Sequence, residues 1–242
     1  MAQNIYDDPA FFNGYCQLRR SIDGLAGAAE WPAIRAMLAD IKGLDIVDLG
    51  CGFGWFCRWA REQGAASVLG LDLSDNMLAR AKAETTDGGI CYATADLDHL
   101  QLPAAAFDLA YSSLAFHYIE DFGRLLATIH RALRPGGRLI FSIEHPIFMA
   151  PARPDWSEDA EGRQIWPLDS YQMEGPRITN WLAEGVVKQH RTMATTFNLL
   201  IENGFTIART EEWTPTDEDL RVHPDWASDR DRPMFLLIST FK

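Results

Sequence analysis

Three glycines spaced one residue apart, Gly50, Gly52 and Gly54, directly follow the apolar run Ile46-Val47-Asp48-Leu49. Glycine there lets the backbone turn sharply at a strand end and lets a ligand approach the main chain closely. Residues 55–63 read as the start of a helix whose free N–H groups point toward that ligand. Asp72 closes a second apolar run, Ser67-Val68-Leu69-Gly70-Leu71, roughly twenty residues downstream. A carboxylate at that place in a βαβ unit accepts hydrogen bonds from ribose hydroxyls. The pattern implies recognition of an adenosine-containing small molecule.

The elements that must position these residues alternate. Strands are expected at residues 45–49, 68–71, 90–93, 107–112 and 138–144, and two more at 205–210 and 234–241. Helices are expected at 55–63, from the Ser74 cap to about 83, and at 122–133, where Leu125, Leu126, Ile129 and Leu133 share a face. An earlier helix starts near Pro32 and stops at Gly43, and a late one spans 191–203. The expected fold is α/β: a doubly wound, Rossmann-like, seven-stranded, mostly parallel sheet with helices on both faces. Right-handed crossovers then gather residues 50–54, Asp72, Asp96, 112–118 and 144–146 on one ligand-binding edge. Residues 146–190, rich in Pro, Trp and acidic side chains, read as a lid inserted after the fifth strand, and 213–233 as an irregular surface loop. One domain covers residues 1–242, with an N-terminal cap (about 1–30), a core (about 43–145), the lid, and a C-terminal part (about 191–242).

Composition narrows the partners. A net charge of −12 in 242 residues argues against nucleic acid, whose phosphates need clustered Lys and Arg. No secretory leader and no membrane-spanning run is read. Cys16, Cys51, Cys57 and Cys91 form neither a CxxC pair nor zinc-like spacing, so no metal and a reducing, cytoplasmic setting are expected. Monomer and homodimer are equally open.

Residues 43–144 resemble class I S-adenosylmethionine-dependent methyltransferases of the type 11 kind. The carrying motifs are Asp48-Leu49-Gly50-Cys51-Gly52-Phe53-Gly54, Asp72, Ala95-Asp96-Leu97 and Leu133-Arg134-Pro135-Gly136-Gly137. A dinucleotide site would want a third glycine where Trp55 stands, which turns the reading away from NAD. The resemblance implies S-adenosyl-L-methionine as cofactor and a small-molecule methyl acceptor. It implies that Asp48 and Gly50 meet the methionine part, with Cys51 in the same loop, and that Gly52 permits close backbone approach. Asp72 would bind both ribose hydroxyls, Leu73 and Met77 would pack on the adenine, and Asp96 and Leu97 would meet its amino group and ring. Ser112 and Ser113 would offer carbonyls to the methionine amino group. Tyr15 or Arg19 of the N-terminal segment would meet the carboxylate, or else that segment simply packs on the sheet edge.

Methyl transfer needs mainly alignment, aided by aromatic faces near the sulfonium, for which Tyr15, Phe53, Phe116 and Tyr118 are candidates. A base is needed where the acceptor must lose a proton. His145 and His190 are the candidates, with His117 behind them, and each also reads as a structural histidine. Trp156, Trp166 and Trp181 either shape an acceptor pocket or anchor the lid. Two other readings compete: a nicotinamide-dependent oxidoreductase, and a cofactor-binding module without catalysis.

Overall fold

The computed structural model describes residues 3–242. In chain order the strands are β1 (Asp45–Leu49), β2 (Ser67–Asp72), β3 (Ile90–Thr94), β4 (Phe107–Ser113) and β5 (Leu133–Glu144), then β6 (Ser157–Glu158), β7 (Gln164–Ile165), β8 (Gly175–Thr179) and β9 (Val186–His190), and last β10 (Thr206–Glu212) and β11 (Phe235–Phe241). Seven of them form one sheet in the order β10-β11-β5-β4-β1-β2-β3. Neighbours from β5 to β3 run parallel, and β11 lies antiparallel between β5 and β10. The strand order reverses between β1 and β4, and a crevice opens there at the strands' C-terminal ends.

Side chains alternate across the sheet and divide the core in two. Val47, Leu49, Ala110, Leu139, Phe141 and Ile238 face one layer, with Leu125, Ile129 and Leu200. Those last three sit on α6 (Phe122–Ala132) and α8 (Met193–Glu202). Ile46, Leu109, Tyr111, Ile140 and Leu237 face the other layer. It is covered by α3 (Trp31–Met37), α4 (Trp55–Glu62) and α5 (Asp75–Ala83). Phe56 stacks flat on Tyr111 there, ring centroids 3.5 Å apart. The helix starts obey local chemistry: the Ser74 hydroxyl accepts from the Met77 N–H, and Asp121 caps α6 by accepting from Arg124 N–H.

Several segments are more ordered than their sequence pattern implies. The 146–190 insertion builds a short helix, α7 (Pro146–Met149), and two hairpins, β6–β7 and β8–β9. Residues 213–233 contain α9 (Asp217–Val222), started by a Thr216–Asp219 capping box, and Trp213 is buried against Trp226. The N-terminal segment forms α1 (Pro9–Cys16) and the single turn α2 (Arg19–Ile22). α6 stops at Ala132 and β5 begins at Leu133, so Pro135-Gly136-Gly137 lie inside the strand rather than before it. A register shift opposite Phe107–Leu109 and a left-handed Gly136 (φ 76°) absorb the extra residues.

Candidate active site

A cavity of about 650 Å³ opens at the C-terminal edge of the sheet, a volume typical of small-molecule sites. Its floor is the glycine loop. Gly50, Gly52 and Gly54 have φ of 79°, 51° and 72°, a region that side-chain-bearing residues rarely occupy. A Cβ on Gly50 would lie 2.4 Å from the Ala115 Cβ, whereas the space around Gly52 is open and exposes its main chain to the cavity. The loop is folded back on β2 by Gly50 and Cys51 N–H groups, which donate to the Leu71 carbonyl at 2.8 and 2.9 Å.

Asp72, at the end of β2, is fixed by two backbone donors. Gly52 N–H reaches its Oδ2 at 2.8 Å and Ser74 N–H its Oδ1 at 2.9 Å. Each carboxylate oxygen keeps a lone pair for a ligand. Burial raises the Asp72 pKa, against the lowering effect of these bonds. Leu73, Met77, Asp96 and Leu97 continue the wall, and Asp96 spends only Oδ1 on a protein bond, accepting from Asp98 N–H at 2.9 Å. Tyr15 and Ser113 complete the expected cofactor-binding residues that reach the cavity.

Other expected site residues stand elsewhere. Asp48 shares the face of Ile46, so its side chain turns away from the edge toward α4, where it accepts from the Cys57 thiol at 3.2 Å. Burial pushes its pKa up to about 7. Cys51 is buried in the same layer, and the Ser112 hydroxyl donates to the Leu49 carbonyl at 2.7 Å, tying β4 to β1. Arg19 points outward to Asp23 and the His223 ring. Arg20, one residue on, lines the cavity and donates to both carboxylate oxygens of the buried Glu30 at 2.8 Å. Adjacent residues of a helical turn diverge by about 100°, and a four-residue helix is too short to reveal its phase in sequence.

The two histidines expected as bases are bonded into the scaffold. His145 caps α7: its Nδ1 accepts from Ile147 N–H at 3.1 Å, so Nε2 carries the proton it donates to Glu212 at 2.9 Å. His190 donates from Nε2 to the Tyr171 carbonyl at 2.8 Å. Neither lines the cavity, while His117 does. Burial, reinforced by Lys188, Arg191 and Arg20, holds the His117 pKa well below its ordinary value. Of the aromatic candidates, Tyr15 and Tyr118 line the cavity and Phe53 and Phe116 pack behind it. Trp181 lines it too, whereas Trp156 and Trp166 clasp the Arg232 guanidinium with Phe148.

Glu144 lines the cavity from the expected edge and Tyr6 from the expected N-terminal cap, whereas sequence reasoning missed Lys188, which lines it too. The Tyr6 hydroxyl reaches that of Tyr118 at 3.3 Å, and Asp7 accepts from the Ser74 hydroxyl at 2.5 Å and Asn76 N–H at 3.1 Å. The N-terminal segment is thereby pinned over the start of α5. Lys188 had a readable signal, since strand alternation puts it on the same buried face as Val186 and His190.

Comparison with known proteins places this architecture. A family model for a methyltransferase domain matches residues 47–141. A solved structure of an S-adenosylmethionine-dependent methyltransferase from Mesorhizobium loti is 63% identical, covers 90% of this chain and 100% of its own, and superposes with a TM-score of 0.88. The chain belongs to the S-adenosylmethionine-dependent methyltransferase family. An uncharacterized protein of Haemophilus influenzae is 37% identical over 99% of this chain and 97% of its own. A malonyl-[acyl-carrier protein] O-methyltransferase of Pseudescherichia vulneris is 35% identical over 131 residues, which span 54% of this chain and only 48% of that enzyme. The methyltransferase cofactor, S-adenosylmethionine, suits the cavity: the exposed main chain at Gly52 and the free lone pairs of Asp72 are the features an adenosyl ligand needs. Among the described residues no cluster of His, Cys, Asp and Glu could hold a metal ion, and no helix is long and apolar enough to cross a membrane.

Proposed function

We propose that this methyltransferase alkylates a small molecule held inside the cavity, beneath a cap made of the N-terminal segment and the 146–190 insertion. One observation carries the reading: a single cavity runs from the Gly52–Asp72–Asp96 wall to a second wall of Tyr118, Glu144, Trp181 and Lys188. The cap is tied together across the chain, because the Gln3 side chain donates to the Gly185 carbonyl at 2.9 Å and accepts from Val187 N–H at 2.9 Å. A capped cavity of this size suits a small acceptor better than a polymer.

Bound S-adenosylmethionine supplies a methyl group on a positively charged sulfur, already activated for transfer. The chain's own task is holding and aligning. Asp72 accepts from the ribose hydroxyls, Leu73, Met77 and Leu97 flank the adenine, and Asp96 Oδ2 is free for its amino group. Arg20 spends only Nη2 on Glu30, which leaves its other guanidinium N–H groups to orient the carboxylate end in the role first assigned to Arg19. Tyr6, Tyr15 and Tyr118 form edge-to-face contacts at 5.2 and 5.9 Å between centroids, a rigid aromatic wall whose faces favour a nearby cation.

The test is incubation with methyl-labelled cofactor and a fractionated cell extract. Label should enter the small-molecule fraction. Label confined to protein or nucleic acid overturns the small-acceptor reading.

A further inference from the structure

At the end of the cavity away from Asp72, a charged pair is buried in the wall. The Lys188 ammonium, on the inward face of β9, donates to Glu144 Oε1 at 2.5 Å, and the side chains are only 4% and 14% exposed. Two aromatic rings flank the ammonium, Trp181 at 5.0 Å and Tyr118 at 5.9 Å. Beside them, His117 Nδ1 accepts from the Glu144 backbone N–H at 3.3 Å, so neutral His117 keeps its proton on Nε2. Among the described residues Glu144 Oε2 accepts no hydrogen bond, and Lys188 makes no second one. A buried ion pair is seldom worth more to stability than a well-packed apolar pair, so its presence on a ligand-facing wall calls for another role.

We propose that Glu144 and Lys188 form the acceptor site, and that the acceptor is an uncharged, flat molecule bearing a hydroxyl, of the phenol or enol class. This rests on the methyl-transfer reading above and names its acceptor. The pair sums to zero charge, so a carboxylate brought to Lys188 would meet Glu144, and an ammonium brought to Glu144 would meet Lys188. A hydroxyl satisfies both: it donates to Glu144 Oε2 and accepts from Lys188, while Trp181 and Tyr118 give its ring apolar walls. In the transfer, a hydroxyl oxygen lone pair forms the new O–C bond, and the methyl–sulfur bond breaks with its electrons staying on sulfur. The O–H proton passes to Glu144 and then to solvent. Charge balances, because the sulfonium is lost as a proton is released.

The experiment measures binding of four probes with a common ring (phenol, anisole, benzoate and benzylamine) to protein saturated with S-adenosylhomocysteine, by ligand-observed NMR titration. Phenol should bind the unmodified protein about tenfold more tightly than the other three, the size of one hydrogen bond to a charged group. Glu144→Leu, which removes the acceptor of the phenol proton, should abolish the preference for phenol over anisole, and Lys188→Met should keep it while admitting benzylamine. Both should leave S-adenosylhomocysteine affinity within about threefold. The double variant, which buries no lone charge, keeps the comparison valid should a single variant fold poorly. Equal binding of phenol and anisole, a preference of the unmodified protein for benzoate or benzylamine, absent phenol binding, or a preference for phenol over anisole surviving Glu144→Leu would each overturn the assignment. Failure of the unmodified protein to bind S-adenosylhomocysteine would instead bring down the methyl-transfer reading on which it rests.

Discussion

Asp72→Ala should weaken S-adenosylhomocysteine binding on the order of a hundredfold to ten-thousandfold. Each carboxylate oxygen already accepts one backbone N–H, from Gly52 at 2.8 Å and Ser74 at 2.9 Å, and has one lone pair left. On the proposed assignment two ribose hydroxyls fill those positions, and a hydrogen bond to a charged group contributes about 1.5–3 kcal/mol. Two such bonds sum to about 3–6 kcal/mol, and every 1.4 kcal/mol is about tenfold in affinity. The alanine variant also releases Gly52 from Oδ2, loosening the loop that the ligand lies on. Asp72→Asn keeps the shape but turns one amide N–H toward a backbone donor, so it should lose about tenfold to a hundredfold. The carboxylate form makes these bonds, and burial raises the Asp72 pKa. Affinity should therefore decline as pH falls through a window above the ordinary aspartate value. Isothermal titration calorimetry reads the effect, with thermal melts to confirm folding. Affinity for Asp72→Ala within about threefold of the unmodified protein would refute the ribose assignment.

Other perturbations follow from the same geometry. Asp48, held at about 7 by burial, keeps a proton in the fold that the unfolded chain has lost above the ordinary value of 3.8. Stability should thus fall as pH rises between those values, by about 4 kcal/mol at most, and Asp48→Asn should flatten that slope in urea titrations at stepped pH. An unchanged slope would disprove the shift. Gly50→Ala places a Cβ at 2.4 Å from that of Ala115 on a backbone with φ of 79°. It should cost stability and cofactor affinity, and Ala115→Gly should restore part of both by removing the clash but not the strain. Lys188→Met alone strands the Glu144 carboxylate and should destabilise by about 3–5 kcal/mol, whereas adding Glu144→Gln should recover most of that. His190→Gln should leave the pH profile of methyl transfer unmoved, because His190 is bonded to the Tyr171 carbonyl and lies outside the cavity.

The donor half was legible because its signals are local. The glycine spacing sets positive φ values over five residues, and Asp72 sits where a strand must end. Strand and helix positions in residues 45–113 could be read from apolar runs whose neighbours alternate between two buried layers. Asp48 shows the limit of motif transfer. Its place before the first glycine suggests contact with a ligand, yet alternation along β1 sets it with Ile46, on the side of α4. The same two-residue period, applied strictly, separates Asp48 from Leu49 and would have assigned it to the layer behind the cavity.

The acceptor half resisted for the opposite reason. Glu144 comes from a strand end and Lys188 from a hairpin 44 residues later. Nothing local pairs them, since their meeting depends on how the 146–190 insertion folds back. Histidine drew attention because its ordinary pKa suits proton transfer, but His145 spends both ring nitrogens on a helix cap and a carboxylate, and His190 spends Nε2 on a carbonyl while its Nδ1 is buried outside the cavity. Neither side chain lines the cavity, so neither reaches a substrate held there. Lys188 is the reverse case: a charged residue at an inward position of β9, with a single protein acceptor and N–H groups still to place. An inward charge whose bonding capacity the fold leaves unfilled is the stronger pointer to a ligand, and it singles out the Glu144–Lys188 end of the cavity as the place where the acceptor is chosen.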